Sequence, residues 1–146
     1  MAQGKTEPVD RMLRRGQCLC GATSYHVLGA LDEAAICHCT MCRRATGSAL
    51  NVAVPVTTDR VEWTGREKLT EFESSPGKMR AFCGGCGAAV YSRRTDKPHS
   101  IRLRIGLLEQ MDEITDLYHI YWASRIGWID RFDALPKNDG EEPGRD

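Results

Sequence analysis

Alternation of apolar and polar residues marks this chain more clearly than any helical period. Ser100-Ile-Arg-Leu-Arg-Ile-Gly-Leu107 sets Ile101, Leu103, Ile105 and Leu107 on one side and Arg102 and Arg104 on the other, the period-two signature of a half-buried strand. Residues 22–28 are rich in β-branched and aromatic side chains, 49–54 are short and apolar, 69–73 alternate, and 118–122 read as a further strand. Helix is scarce. The residues just after Cys42 and the stretch 108–113 can each supply a turn or two. The pattern predicts an all-β (mainly β) domain of short strands.

With 146 residues and no long linker or internal repeat, the expected organisation is a lead-in over 1–13, one domain over 14–134 and a mobile tail over 135–146, LPKNDGEEPGRD, which has nothing to bury. The 20 Lys and Arg balance 20 Asp and Glu, so no global field recruits nucleic acid or an anionic membrane. Arginines are bunched all the same: Arg11, Arg14 and Arg15; Arg43 and Arg44; Arg93, Arg94, Arg102 and Arg104. They read either as solvated faces or as a local basic rim for an anionic small molecule. Residues 1–16 hold no apolar run that could serve as a signal-peptide core, and no later stretch is long and apolar enough to span a bilayer. A cytoplasmic location is expected.

Seven cysteines then change the picture. They fall into Cys18-Leu-Cys20, Cys37-His-Cys39-Thr-Met-Cys42 and Cys83-Gly-Gly-Cys86-Gly87. In a reducing compartment such spacings point to metal ligands rather than disulfides, and an odd total leaves a thiol over under any purely disulfide scheme. If the segment around Cys18 and Cys20 is extended, both thiols project from one face while Leu19 turns toward the core. The glycines around Cys83 and Cys86 permit positive φ, so that two thiolates converge in a knuckle turn. Together the two pairs make a closed four-cysteine site that ties off a loop of about sixty residues.

Cys37, Cys39 and Cys42 offer three ligands from one short segment, the number a catalytic zinc uses while keeping one position open. His38 then faces away, in a packing or supporting role. Other arrangements remain open. The central group could be a second structural zinc completed by His26, His99, His119 or a carboxylate, and Cys39 and Cys42 could join Cys83 and Cys86 in a zinc ribbon, which leaves three cysteines without a role.

The arrangement resembles the glutathione-dependent formaldehyde-activating enzymes and their relatives, which include a centromere protein. The resemblance is carried by Gly16-Gln-Cys-Leu-Cys-Gly21, Cys37-His-Cys-Thr-Met-Cys-Arg-Arg-Ala-Thr-Gly47, Phe82-Cys-Gly-Gly-Cys-Gly87, His119-Ile-Tyr-Trp122, Trp128 and Asp133-Ala-Leu-Pro136. It implies a Mss4-like (β-tent) fold of packed, bent sheets stapled by zinc. It also implies two zinc ions per chain, one structural on Cys18, Cys20, Cys83 and Cys86 and one catalytic on Cys37, Cys39 and Cys42. The expected activity is that of a carbon–sulfur lyase, adding a thiol such as glutathione to formaldehyde or a related small aldehyde and running the reverse. Arg43 and Arg44 are the candidate holders of the glutathione carboxylates.

Two other classes compete. A zinc-stapled module could bind a protein or nucleic acid without catalysis, with Trp63, Trp122 and Trp128 as its aromatic surface; core packing is their commoner fate, and a neutral chain argues against nonspecific nucleic-acid binding. A redox enzyme related by fold to methionine sulfoxide reductases would need a cysteine outside the metal sites.

Overall fold

Ten strands and one short α-helix are formed within residues 13–144, the part of the chain that the computed structural model describes. Of the expected lead-in, only Leu13 falls inside that range. Strands β1 (Leu13–Gln17), β2 (Ser24–Leu28) and β5 (Val61–Thr64) make an antiparallel three-stranded sheet in the order β1-β2-β5. The others are β3 (Glu33–Cys37), β4 (Asn51–Thr57), β6 (Leu69–Ser75), β7 (Lys78–Cys83), β8 (Ala89–Arg94), β9 (Ser100–Arg104) and β10 (Asp116–Ile120). They line up as β10-β3-β4-β9-β8-β7-β6. The large sheet is antiparallel except at its edge, where β10 runs parallel to β3. The all-β architecture is the one the alternation predicts, and its packed sheets are what the family resemblance implies.

The core lies between the two sheets. Directly opposed residues of antiparallel strands share a face, and Ala81, Tyr91, Leu103 and Val54 form one such row across β7, β8, β9 and β4. Ile101 and Val56 extend it, and Tyr25, Val27 and Val61 of the small sheet pack against it. Each fully buried aliphatic side chain contributes about 1.5–3 kcal/mol. Trp63 bridges the layers, its ring centroid 5.1 Å from Tyr25 and 5.6 Å from Tyr91. Trp63 is thus a core residue, whereas Trp122 and Trp128 stay partly exposed. Gly16 is required by this packing, because a Cβ there would sit 2.3 Å from the Tyr25 ring.

Several local expectations shift. The strand read to Leu107 stops at Arg104, since Ile105–Leu107 turn into a 3-10 helix closed by the Leu108 N–H on Ile105 O at 3.0 Å. Residues 108–113 form no helix: Leu108 bridges to Gly16, and the Glu109 N–H donates to Arg15 O at 3.0 Å. Arg14 is buried rather than solvated, donating to Gly29 O at 2.9 Å and pairing with Glu113. Residues 135–144 are exposed and form no helix or strand. Among the described residues no helix is long and apolar enough to cross a membrane.

Candidate metal centres and the cavity beside them

β1 ends at Gln17 and the chain turns, with the Gly21 N–H donating to Cys18 O at 3.1 Å and the Thr23 N–H to Cys18 Sγ at 3.4 Å. The turn brings Cys18 Sγ to 3.7 Å from Cys20 Sγ. Leu19 sits at its tip and is 85 % exposed. The expectation that Leu19 faces the core therefore fails: odd–even alternation holds in a strand, and this segment is not one. The second pair lies where β7 passes into β8. There the Gly87 N–H donates to Cys83 O at 2.8 Å and the Cys83 N–H to Ala88 O at 2.9 Å. Of the three glycines in the turn, only Gly87 takes a positive φ, +76°. Gly84 is needed for a close approach instead: its N–H donates to Lys68 O at 2.9 Å, and an added Cβ would lie 3.2 Å from that oxygen.

Cys20 Sγ is 3.8 Å from Cys83 Sγ, and the four sulfurs of Cys18, Cys20, Cys83 and Cys86 lie within 4.8 Å of one another. The 3.7 and 3.8 Å separations match the edge of a tetrahedron with metal–sulfur bonds of about 2.3 Å. All seven cysteines are free thiols. Four sulfurs so arranged can hold a metal ion.

The second cluster is assembled by a strand end and a helix start. Cys37 is the last residue of β3, and Cys39 caps helix α1 (Thr40–Thr46), its Sγ accepting the Cys42 N–H at 3.3 Å. Cys42 lies in the helix itself, so the expected turn through Thr40 and Met41 is the first turn of α1. The three sulfurs lie within 4.8 Å of one another. Burial pushes the Cys37 thiol up to about 12. Burial also opposes ionisation of Cys42, but contact with Cys39 and with the Arg80 guanidinium outweighs it and holds that thiol below its ordinary value. Thiols crowded in this way cannot all ionise without a cation among them, and three sulfurs are a donor set that suits a soft divalent ion. His38 points elsewhere. It is fully buried, its Nε2 lies 2.8 Å from His119 Nδ1, and its ring meets Trp122 edge-on at 5.1 Å.

The three-cysteine cluster opens into a cavity of about 480 Å³, a size suited to a small organic ligand. Its floor is the face of the large sheet opposite the core. Lys78 pairs with Arg94, Arg80 with Ser92, Ser92 with Arg102, and Arg104 with Ala53. Period two thus delivers Lys78, Arg80, Arg94, Arg102 and Arg104 to one surface, and no acidic residue lines the cavity. Among the described residues, only Arg94 of these five has a carboxylate partner, Asp96 at 2.9 Å. Arg80 donates to Ser74 Oγ at 2.9 Å and reaches Cys42 Sγ at 3.7 Å, while its Nη1 is buried with no partner, as is Arg104 Nε. Burial, and then the charge of Arg80, pushes Arg104 down to about 10; burial and the three neighbouring arginines also lower Lys78.

Arg43 and Arg44 do not line this cavity. They border a separate, open groove with Thr40, Ser48, Ala49, Ile126 and Trp128. Of the arginines offered for a basic rim, Arg94, Arg102 and Arg104 line the cavity, whereas Arg93 pairs with Glu71 and Arg14 with Glu113, neither lining it; Lys78 and Arg80, which also line it, were not among the expected residues. The spacing Lys78-x-Arg80, repeated as Arg102-x-Arg104, was the available signal.

The sequence model of the family described as "Glutathione-dependent formaldehyde-activating enzyme" matches residues 13–124. Among solved structures, the chain is similar to a Rhodobacter sphaeroides protein known from its crystal structure, with a TM-score of 0.56 and 25 % identity over 71 % of this chain and 99 % of that one. The matched span takes in all seven cysteines and every residue of the cavity floor. The chain belongs to the glutathione-dependent formaldehyde-activating enzyme family.

Proposed function

We propose that this protein is a zinc-dependent carbon–sulfur lyase that adds a thiol, glutathione above all, to formaldehyde or a related small aldehyde. The observation that carries this reading is the asymmetry between the two clusters. Four sulfurs make a complete ligand set, whereas three make an incomplete one that faces a cation-lined cavity. In this reading Cys18, Cys20, Cys83 and Cys86 hold a structural zinc, and Cys37, Cys39 and Cys42 a catalytic one. When bound there, zinc would lower the pKa of an incoming thiol and present it as a thiolate near neutral pH.

The chain's own residues do the rest. Three cysteinates and a divalent ion sum to a charge of −1, which the Arg80 guanidinium beside Cys42 offsets. The half-buried Lys78 and Arg102 and the exposed Arg94 line the cavity and in this reading hold the carboxylates of glutathione. They are better placed than Arg43 and Arg44, which face the other groove. Thiolate sulfur adds to the carbonyl carbon, the carbon–oxygen π bond opens, and the thiol proton ends on that oxygen. The reverse breaks the carbon–sulfur bond.

Cys42→Ser tests the assignment. The variant should stay folded, keep about one zinc per chain and lose thiol–aldehyde adduct formation above the uncatalysed rate. Zinc content, thermal unfolding and adduct formation are measured on one preparation. Zinc loss with wild-type activity would refute the open-metal reading and leave a metal-independent reaction in its place.

A further inference from the structure

We infer that the site favours a carbonyl reactant that is itself an anion, a 2-oxo acid whose carboxylate sits on the carbon that the sulfur attacks, over a neutral one-carbon aldehyde. This rests on the thiol–carbonyl reading and names its second substrate.

The argument begins with charge. Among the described residues five cations line the cavity, no carboxylate does, and only Arg94 is paired. One guanidinium balances the net charge of a three-thiolate zinc, and a second cation is needed once glutathione adds its own thiolate. Glutathione brings two carboxylates and an ammonium group. Cationic capacity is left over, and it is unevenly placed. Exposure falls from Arg94 at the rim, through the half-buried Lys78 and Arg102, to Arg80 at 4 % and Arg104 at 7 %. The two deepest are the two with buried, unpartnered nitrogens. Neither has a carboxylate partner among the described residues, and an anionic ligand in the cavity would balance their charge.

Position decides which reactant supplies the oxygen. Arg80 touches Cys42, and Arg104 lines the same cavity as the three cysteines, so both arginines border the space where the reacting sulfur must lie. The carboxylates of glutathione are separated from its sulfur by a stretch of peptide backbone and reach the outer cations. A carboxylate on the attacked carbon lies directly beside the sulfur and meets Arg80 and Arg104. Formaldehyde offers those residues no charge at all. The step balances without a further reactant: thiol plus 2-oxo acid gives an S-(carboxy-hydroxyalkyl) adduct, the carbon–sulfur bond forming as the carbonyl π bond breaks and the thiol proton moving to oxygen.

S-carboxymethylglutathione and S-methylglutathione are stable stand-ins for the two adducts and differ by one carboxylate at the carbon on sulfur. Titrated calorimetrically into the zinc-loaded protein, the carboxymethyl compound should bind about tenfold or more tightly, the effect of one charge-assisted contact. Arg104→Met should bring the ratio close to one, and Arg104→Lys should retain part of it; Arg80→Lys gives a second reading if Arg104→Met does not fold. Equal binding of both compounds to the wild type, or a full ratio in Arg104→Met, overturns the inference. Glutathione–formaldehyde adduct formation on the same preparation judges the lyase reading separately. Activity there with a binding ratio of one removes the 2-oxo acid and spares the lyase. No activity with either formaldehyde or glyoxylate removes both.

Discussion

Glu71 gathers three donors onto one carboxylate. Tyr91 Oη donates to Oε1 at 2.8 Å, Arg93 Nε to the same oxygen at 2.7 Å, and Arg93 Nη2 to Oε2 at 2.7 Å. The Arg93 contact holds the carboxyl below the usual carboxylate range, against the opposing effect of partial burial and with help from Tyr91. A carboxylate whose folded pKa is depressed contributes stability above its unfolded value and loses it as pH falls through the folded one. Glu71→Gln should therefore lower stability by about 1 kcal/mol at neutral pH, modest because the pair is partly exposed. The difference from wild type should shrink below about pH 4. Thermal melts of both proteins from pH 7 to pH 3 check this, and a gap that widens in acid would contradict it. Because both proteins carry the same cysteines, acid release of metal cancels in the comparison.

At the level of elements, the two cysteine clusters have different reach. Cys37, Cys39 and Cys42 join the end of β3 to the start of α1, a local union. Cys20 and Cys83 are 63 residues apart and join the turn after β1 to the turn after β7, so they tie the small sheet to the large one. Cys86→Ser should accordingly lose one metal and unfold at a much lower temperature than Cys42→Ser, since metal binding at a long-range site is folding free energy. Comparable melting temperatures for the two variants would count against the division of labour. The same elements show how far the sequence could be read. β9 was legible because Ile101 and Leu103 alternate cleanly with two arginines. β7 was not: in Lys78-Met-Arg-Ala-Phe-Cys83 both Arg80 and Ala81 are buried, one under the cavity and one in the core. A strand covered on both faces loses its alternation. β1 is equally opaque, because Arg14 is buried and Leu13 is exposed. The cysteine groups were legible by spacing, but their local geometry was not, as Leu19 shows.

Taken whole, the molecule hangs its chemistry on one face of a sheet and its stability on the other. β7 serves both, with Lys78 and Arg80 on the cavity side and Cys83 at its end in the four-cysteine cluster. The four-sulfur set is complete and the three-sulfur set is not, so a graded chelator should strip them in order. Adduct formation should vanish with loss of the first metal, while the melting temperature drops mainly with loss of the second. Released zinc, activity and melting temperature followed along one chelator series will show two separated stages, and simultaneous loss of all three would refute the order.

The separation of Cys20 from Cys83 also has a meaning in time. A ribosome adds about 5–20 residues per second, so the 63-residue separation keeps Cys20 from Cys83 for roughly 3–13 s. Throughout that interval Cys18 and Cys20 are a half-site, able to grip metal only weakly and open to any oxidant that reaches a thiolate. Newly made chains are thus expected to be oxidised more readily than finished ones, because Cys18 and Cys20 wait as a pair until Cys83 and Cys86 emerge.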